Sequence, residues 1–264
     1  MATTLWAMES AQLDPSEQSG ASRRQFLTRS AAGAVAAGTL WVAPSVLTFD
    51  AAAAASCGTG VHTLNWNTVG VGSGPGTYAT GAGATLVNVT VATANSTPNP
   101  ASSGGGGSLG TNWTVINQQI GNQTLPTWYM QMTASANGLF LETTFHFSKA
   151  VVGLSFTVYD IDINSAGLLW TDLVTVTGTN AAAVAQNVTV VHPADGTTTL
   201  AGSGSTSASA LGTTNATNTQ DTGNATFTFA TAVTDVIVKF QAQNTPTNPM
   251  QYVSISNLTW ASCA

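Results

Sequence analysis

The residues best placed to do chemistry form one cluster. Tyr159-Asp160-Ile161-Asp162-Ile163-Asn164 is followed by Trp170-Thr171-Asp172, so three of the six aspartates after Ser56 fall within thirteen residues. Asp160, Asp162 and Asp172, with Asn164 and backbone carbonyls, offer the hard oxygen ligands that calcium takes at six to eight positions. Asx turns give the competing reading, because Asp and Asn at strand ends bond nearby backbone N–H groups without any metal. No EF-hand loop is present.

Other chemistries find little support. Glycoside hydrolysis needs two carboxyls facing each other across a bond. Glu142 is the sole glutamate after Ser56, and its place in Leu141-Glu142-Thr143 sets it mid-strand on an outward face. No Gly-x-Ser-x-Gly elbow leads from a strand into a helix, which argues against a serine hydrolase. His62, His146 and His192 stand too far apart in sequence for local zinc-ligand spacing. A Lys–Asn isopeptide would need a buried lysine, and Lys239 in Val236-Ile237-Val238-Lys239-Phe240 shares its face with Ile237 and points outward. A non-catalytic protein is the better expectation. A polysaccharide hydrolase using Asp160, Asp162 or Glu142 is the alternative.

Aromatic side chains offer a second kind of site, since exposed rings stack on the apolar faces of sugars. Trp170, beside the acidic loop, is the first choice for a ligand contact. Trp128 and Tyr129 are adjacent in a strand and must point to opposite faces, so one of them is expected to leave the core. Trp66 and Trp260 are expected to fill the core.

Positioning these groups falls to β-strands. The chain after Ser56 holds 38 threonines and abundant Val, Phe, Tyr and Trp, while helix-forming Leu, Glu, Lys and Arg are sparse. Alternation is clearest in Leu141-Glu142-Thr143-Thr144-Phe145-His146-Phe147, which sends Leu141, Thr143, Phe145 and Phe147 to one face. Leu154-Ser155-Phe156-Thr157-Val158 alternates likewise. The link Ser148 to Gly153 is either a hairpin turn or a crossing between sheets. Further strands are expected at 61–66, 85–91, 128–132, 173–177, 187–191, 226–229, 235–240 and 252–260. The expected fold is all-β, a two-sheet antiparallel sandwich or jelly roll preceded by a helical signal segment. Residues 95–111 and 196–223 read as long loops, available for binding or serving as plain connections.

Phe145-His146-Phe147-Ser148-Lys149, Val151, Leu154, Phe156, Asp160-Ile161-Asp162 and Asp172-x-Val174-x-Val176 resemble the jelly-roll modules of bacterial cell-surface adhesins and their secreted relatives. The resemblance spans about 32 residues, mostly strand residues of general type. It implies extracellular binding or wall association, with Asp160, Asp162 and Asp172 as shared positions.

The address is read from the first 55 residues. Ser22-Arg23-Arg24-Gln25-Phe26-Leu27 precedes an Ala-rich run from Ala31 to Leu47. Arg23, Arg24, Phe26 and Leu27 resemble a twin-arginine export signal. Pro44 interrupts the run before about 20 apolar residues accumulate, which disfavours a membrane helix. Cleavage is expected after Ala53 or Ala55, dividing the chain into a signal at 1–55 and one β-sandwich domain at 56–264. The resemblance implies the twin-arginine translocase as a partner during export of an already folded chain. The protein is then secreted or held at the cell surface, with no stable membrane span in its mature part.

Two cysteines fit that address. Cys57 opens the mature chain and Cys263 nearly closes it, and a bridge between them would close a loop of about 200 residues. Lipidation of Cys57 is the competitor, but Ala54-Ala55-Ser56-Cys57 lacks a Leu-like residue three before the cysteine. From Cys57 onward seven acids face two lysines and no arginine, a net charge of −5. That balance argues against nucleic acid and anionic lipid, which demand clustered basic residues. An extracellular glycan or cell-wall component is the expected partner; a metal or small-ligand carrier loaded before export is a further alternative.

Overall fold

Threonine and valine at alternate positions favour a half-buried pleated surface, and the computed structural model is built almost wholly from such strands. It describes residues 57–96, 113–134, 136–164, 170–193, 196–243 and 250–263. Arg23, Arg24, Phe26 and Leu27, read above as an export signal, the expected cleavage positions and the Gly104–Gly107 run lie outside these.

The strands are β1 (Cys57–Leu64), β2 (Gly76–Thr80), β3 (Val87–Asn95), β4 (Trp113–Ile116), β5 (Thr127–Thr133), β6 (Phe140–Tyr159) and β7 (Thr171–Thr179). There follow β8 (Thr189–Val191), β9 (Thr199–Ala201), β10 (Ser207–Leu211), β11 (Ala225–Phe229), β12 (Val233–Gln243), β13 (Met250–Ile255) and β14 (Leu258–Cys263). One helical turn, α1 (Trp66–Val69), is capped by Asn65, whose side chain accepts from the Asn67 N–H.

Strand β6 organises the fold because it belongs to both layers. Its first half, through Phe147, pairs with β3 on one side and β12 on the other, within the order β2-β3-β6-β12-β7-β10-β9. Its second half pairs with β11 on one side and with β14 and β13 in succession on the other. From there β11 leads to β8, β14 to β1, and β13 to β5 and β4. Every ladder is antiparallel. The crossing occurs at Ser148–Gly153, where Gly153 takes φ 66, so this segment carries the chain between layers and is not a hairpin turn.

The alternation read from the sequence holds. Leu141, Thr143, Phe145, Phe147, Leu154, Phe156 and Val158 face a single core shared by both layers, while Glu142, His146 and Lys149 do not. Aromatic rings join the layers: Trp66 lies 5.5 Å from Trp128 and Phe156 lies 5.9 Å from Phe227, between ring centroids. Tilted and stacked contacts of this kind add to the area buried.

Several boundaries differ from expectation. Trp66 leaves the first strand for α1, where its indole N–H donates to the Ser256 carbonyl at 2.8 Å. The single strand expected over 252–260 is two strands, broken at Ser256 and Asn257, and these two residues hold Trp66 and Thr157 by hydrogen bonds. The stretch 196–223 is not one loop: it contains β9 and β10, short strands of small residues whose inward positions include only Ala208, Ala210 and Leu200.

The first and last described strands meet. β1 and β14 pair with Cys57 directly opposite Cys263. Directly opposed residues in an antiparallel pair have Cα atoms about 4.5–5.5 Å apart, within the range a disulfide spans. No disulfide joins the described side chains, and those of Cys57 and Cys263 lie outside them. Among the described residues no helix is long and apolar enough to cross a membrane.

Candidate functional site: an acidic hollow where β6 ends and β7 begins

At the end of β6 the chain turns sharply, since Asp160 adopts φ 67, a left-handed conformation that Asp and Asn tolerate better than other side-chain-bearing residues. Its backbone N–H donates to Asn224 Oδ1 at 3.3 Å, and Asn224 Nδ2 donates to the Gly121 carbonyl at 2.8 Å. Gly121 has φ 56, and a Cβ there would lie 2.4 Å from Asn224 Oδ1, so this close approach requires glycine.

Two residues further on, Asp162 meets Asp172. The Asp172 N–H donates to the Asp162 carbonyl at 2.9 Å, and the Asp162 N–H donates to Asp172 Oδ2 at 3.3 Å. The Gly212 N–H donates to the Asp172 carbonyl at 2.9 Å, which locks the loop after β10 onto the same spot. All three aspartates are therefore brought together, as the sequence suggested, and all three are buried. Asn164 is not among them. Its N–H donates to the Trp170 carbonyl, and it does not line the hollow.

The hollow has a volume of about 140 Å³, and its lining includes Asp160, Asp162, Asp172, Trp170, Gln251 and Tyr252. Gln251 was not legible as a site residue. It shares the inward face of β13 with Val253 and Ile255 and is 1% exposed, yet neither its Oε1 nor its Nε2 has a hydrogen-bond partner. Asp160 Oδ1 and Asp172 Oδ1 are likewise buried without partners.

Burial without a basic neighbour disfavours charge on these carboxyls. Desolvation, then the charge of Asp162, pushes Asp160 up to about 7. Desolvation raises Asp162 to about 6 against hydrogen bonds from Trp170, Asp172 and the Ala216 backbone. Asp172 is held well above the usual carboxylate range by burial and by Asp162. Burial and the Asp160 carboxyl also push the Tyr252 phenol up to about 12. Chemically, such a hollow can hold a hard cation or keep a carboxyl protonated near neutral pH. Among the described residues no three His, Cys, Asp or Glu side chains close on one metal position. The expected set of Asp160, Asp162, Asn164 and Asp172 is thus not assembled by itself.

The aromatic candidates divide. Trp170 is half-buried at the rim of the hollow, in agreement with its choice as a contact residue. Trp128 is a core residue: it is fully buried, and its indole donates to Thr143 Oγ1 at 3.0 Å. Tyr129 points to the opposite face, as alternation demands, but it is covered there by a second apolar cluster with Ile116, Ile120, Tyr159 and Tyr252. Tyr129 thus leaves the main core, but that cluster covers the outer face of β5 and leaves neither ring exposed. Trp66 and Trp260 are buried as expected.

The histidines lie apart from the hollow. His146 Nδ1 sits 2.7 Å from Asp235 Oδ1 on the exposed face, His192 Nε2 contacts Thr198, and His62 stacks on Trp260. Lys239 points outward, opposite Glu142 and 4.1 Å from the centre of the Phe140 ring.

No family model, no curated protein and no solved structure matches the chain.

Proposed function

We propose that the chain is an exported, non-catalytic β-sandwich protein that binds an extracellular glycan or cell-wall component. The observation that carries this reading is the register of the terminal strands, which sets Cys57 against Cys263. A bridge there has value only where thiols are oxidised, and it agrees with the twin-arginine-like Arg23-Arg24 segment and passage through that translocase. The surface suits the same setting. Cross-strand hydroxyl pairs, Ser155 with Thr228, Thr157 with Thr226 and Thr77 with Thr90, give the sheets a hydrated exterior with little charge. Trp170 and Tyr252, half-buried at the rim of the hollow, supply the rings a sugar would stack on. Binding of the chain to a glycan array and to isolated cell walls tests the reading. The expected result is retention that falls at least ten-fold in Trp170→Ala, and silence on every surface component would overturn it.

A second reading, a hydrolase acting on polysaccharide, draws on the Asp162–Asp172 contact, since a buried carboxyl that stays protonated near neutral pH is what a general acid requires. Polysaccharide turnover that disappears in Asp162→Asn would favour it over the first.

A further inference from the structure

We propose that the hollow between the end of β6 and the start of β7 takes a divalent cation of the calcium class, ligated by Asp160 Oδ1, Asp172 Oδ1 and Gln251 Oε1. The inference does not rest on the surface-binding reading, and its test reads ion uptake alone.

Aspartates clustered at strand ends would not be enough, because turns use them routinely. The deciding observation is Gln251. Alternation along β13 puts it with Val253 and Ile255 on the core face, where an amide with neither atom paired loses its bonds to water and gains none in return. Buried polar groups without partners are few in folded proteins and call for an explanation. Here the orphaned amide lines the same hollow as two orphaned carboxylate oxygens.

Charge points the same way. From Cys57 onward the chain has two basic side chains, Lys149 and Lys239, and neither lines the hollow. No internal cation is therefore available to offset three buried carboxyls, and a bound ion would do so.

The donor chemistry selects the ion. Three of the four unpaired atoms are hard oxygens, the fourth being Gln251 Nε2, and the three histidines are engaged elsewhere, so calcium and magnesium fit better than zinc or copper. Calcium accepts an irregular shell of six to eight ligands, which suits donors drawn from a left-handed turn, a strand start and a strand face. The volume of about 140 Å³ leaves space for an ion together with waters that complete that shell. Pockets that take small organic ligands run from about 300 Å³ upward, so a sugar residue does not fit inside. No Asp162 oxygen is among the unpaired buried atoms, and its backbone N–H, 3.3 Å from Asp172 Oδ2, makes it a positioning residue for Asp172. Two carboxylates and one amide are thus the site, in keeping with the lack of any three-acid cluster.

The test uses the 264-residue chain, stripped with chelator and dialysed against calcium chloride or magnesium chloride. The expected result is one calcium per chain, with a dissociation constant of roughly 10⁻⁴–10⁻³ M as in extracellular modules, and weaker magnesium uptake. Gln251→Leu, which keeps the core face apolar, and Asp172→Asn should each weaken calcium binding at least ten-fold with an unchanged circular dichroism spectrum. Should either variant fail to fold, terbium luminescence on the otherwise native chain gives a second readout. Emission excited through indole should be displaced by calcium and should fall in Trp170→Phe, whose ring lies at the rim. No calcium uptake at 10-fold above that range, uptake indifferent to both variants, or terbium emission indifferent to Trp170→Phe would each overturn the proposal.

Discussion

Replacing Asp160 by Asn isolates the electrostatic strain of the hollow. Asparagine has the same shape and is among the few residues that accept the φ of 67 found at this position, so the backbone has no reason to change. Moving a carboxyl from its ordinary 3.8 to about 7 makes ionised Asp160 costly by at most about 4 kcal/mol. The sign follows from proton counting. Between pH 4 and 7 the folded chain keeps a proton that the unfolded chain has released, so stability falls as pH rises through that window and stays low above it. Asn removes this dependence. With chelator present, the variant should match the parent near pH 4 and exceed it at pH 8. For a domain of about 200 residues each kcal/mol is worth roughly 2–4 °C, so the gain in Tm at pH 8 is at most roughly 8–16 °C. Calcium at saturation should reverse the order, because the parent gains a ligated ion and the variant loses one ligand. Thermal melts followed by circular dichroism at pH 4, 6 and 8, with and without calcium, give all of these quantities. A chelated variant no more stable than the parent at pH 8, or equally more stable at pH 4, would refute the argument from burial.

Two further perturbations address the framework around the hollow. Gly121→Ala adds a Cβ 2.4 Å from Asn224 Oδ1 and 2.8 Å from the Tyr159 Cβ at φ 56, so a left-handed penalty and overpacking together should cost about 2–4 kcal/mol. A urea midpoint within error of the parent would show that the loop yields freely. For the terminal strands, the intact mass of the chain left unreduced should be two hydrogens below that of the reduced chain. Cys57→Ser should then lower stability by at most about 4–5 kcal/mol, the chain-entropy value for a loop of about 200 residues; a parent that takes up two thiol labels without reduction would remove the bridge from the account.

Much of the layered architecture was legible because strands with one buried face advertise themselves by alternation. Leu141 to Phe147 and Leu154 to Val158 place every inward residue correctly, and the link between them was open to either a turn or a crossing. What decided for the crossing is the partner list of β6, which changes from β3 and β12 to β11, β13 and β14 within one continuous strand. No local pattern encodes such an exchange of neighbours. Strands β9 and β10 were missed for a different reason. Ser207-Ala208-Ser209-Ala210-Leu211 does alternate, with Ala208 and Ala210 in the core and Leu200 of β9 packed against it, but alanine is too small to stand out as a hydrophobic stripe in a chain rich in Ala, Ser and Thr. Trp128 and Tyr129 show the limit of the alternation rule: it fixes which face a ring takes, but not whether a second cluster covers that face.

The hollow divides in the same way. The short spacing from Asp160 to Asp172 carried enough information to bring those carboxyls together, since one strand ends and the next begins within it. Gln251 comes from a strand 79 residues beyond Asp172, and its role depends on β13 lying against the last residues of β6. Its signal was nonetheless present as a polar residue at a position where period two demands an apolar one. A wholly apolar face, with Leu in place of Gln251, would relieve two unpaired amide atoms and extend the core. It would also leave the carboxyls of Asp160 and Asp172 facing hydrocarbon with nothing to offset their charge. The amide is therefore intelligible as part of a polar set completed by something outside it, and the lack of a lysine or arginine among the described residues lining the hollow makes a cation the group that completes it.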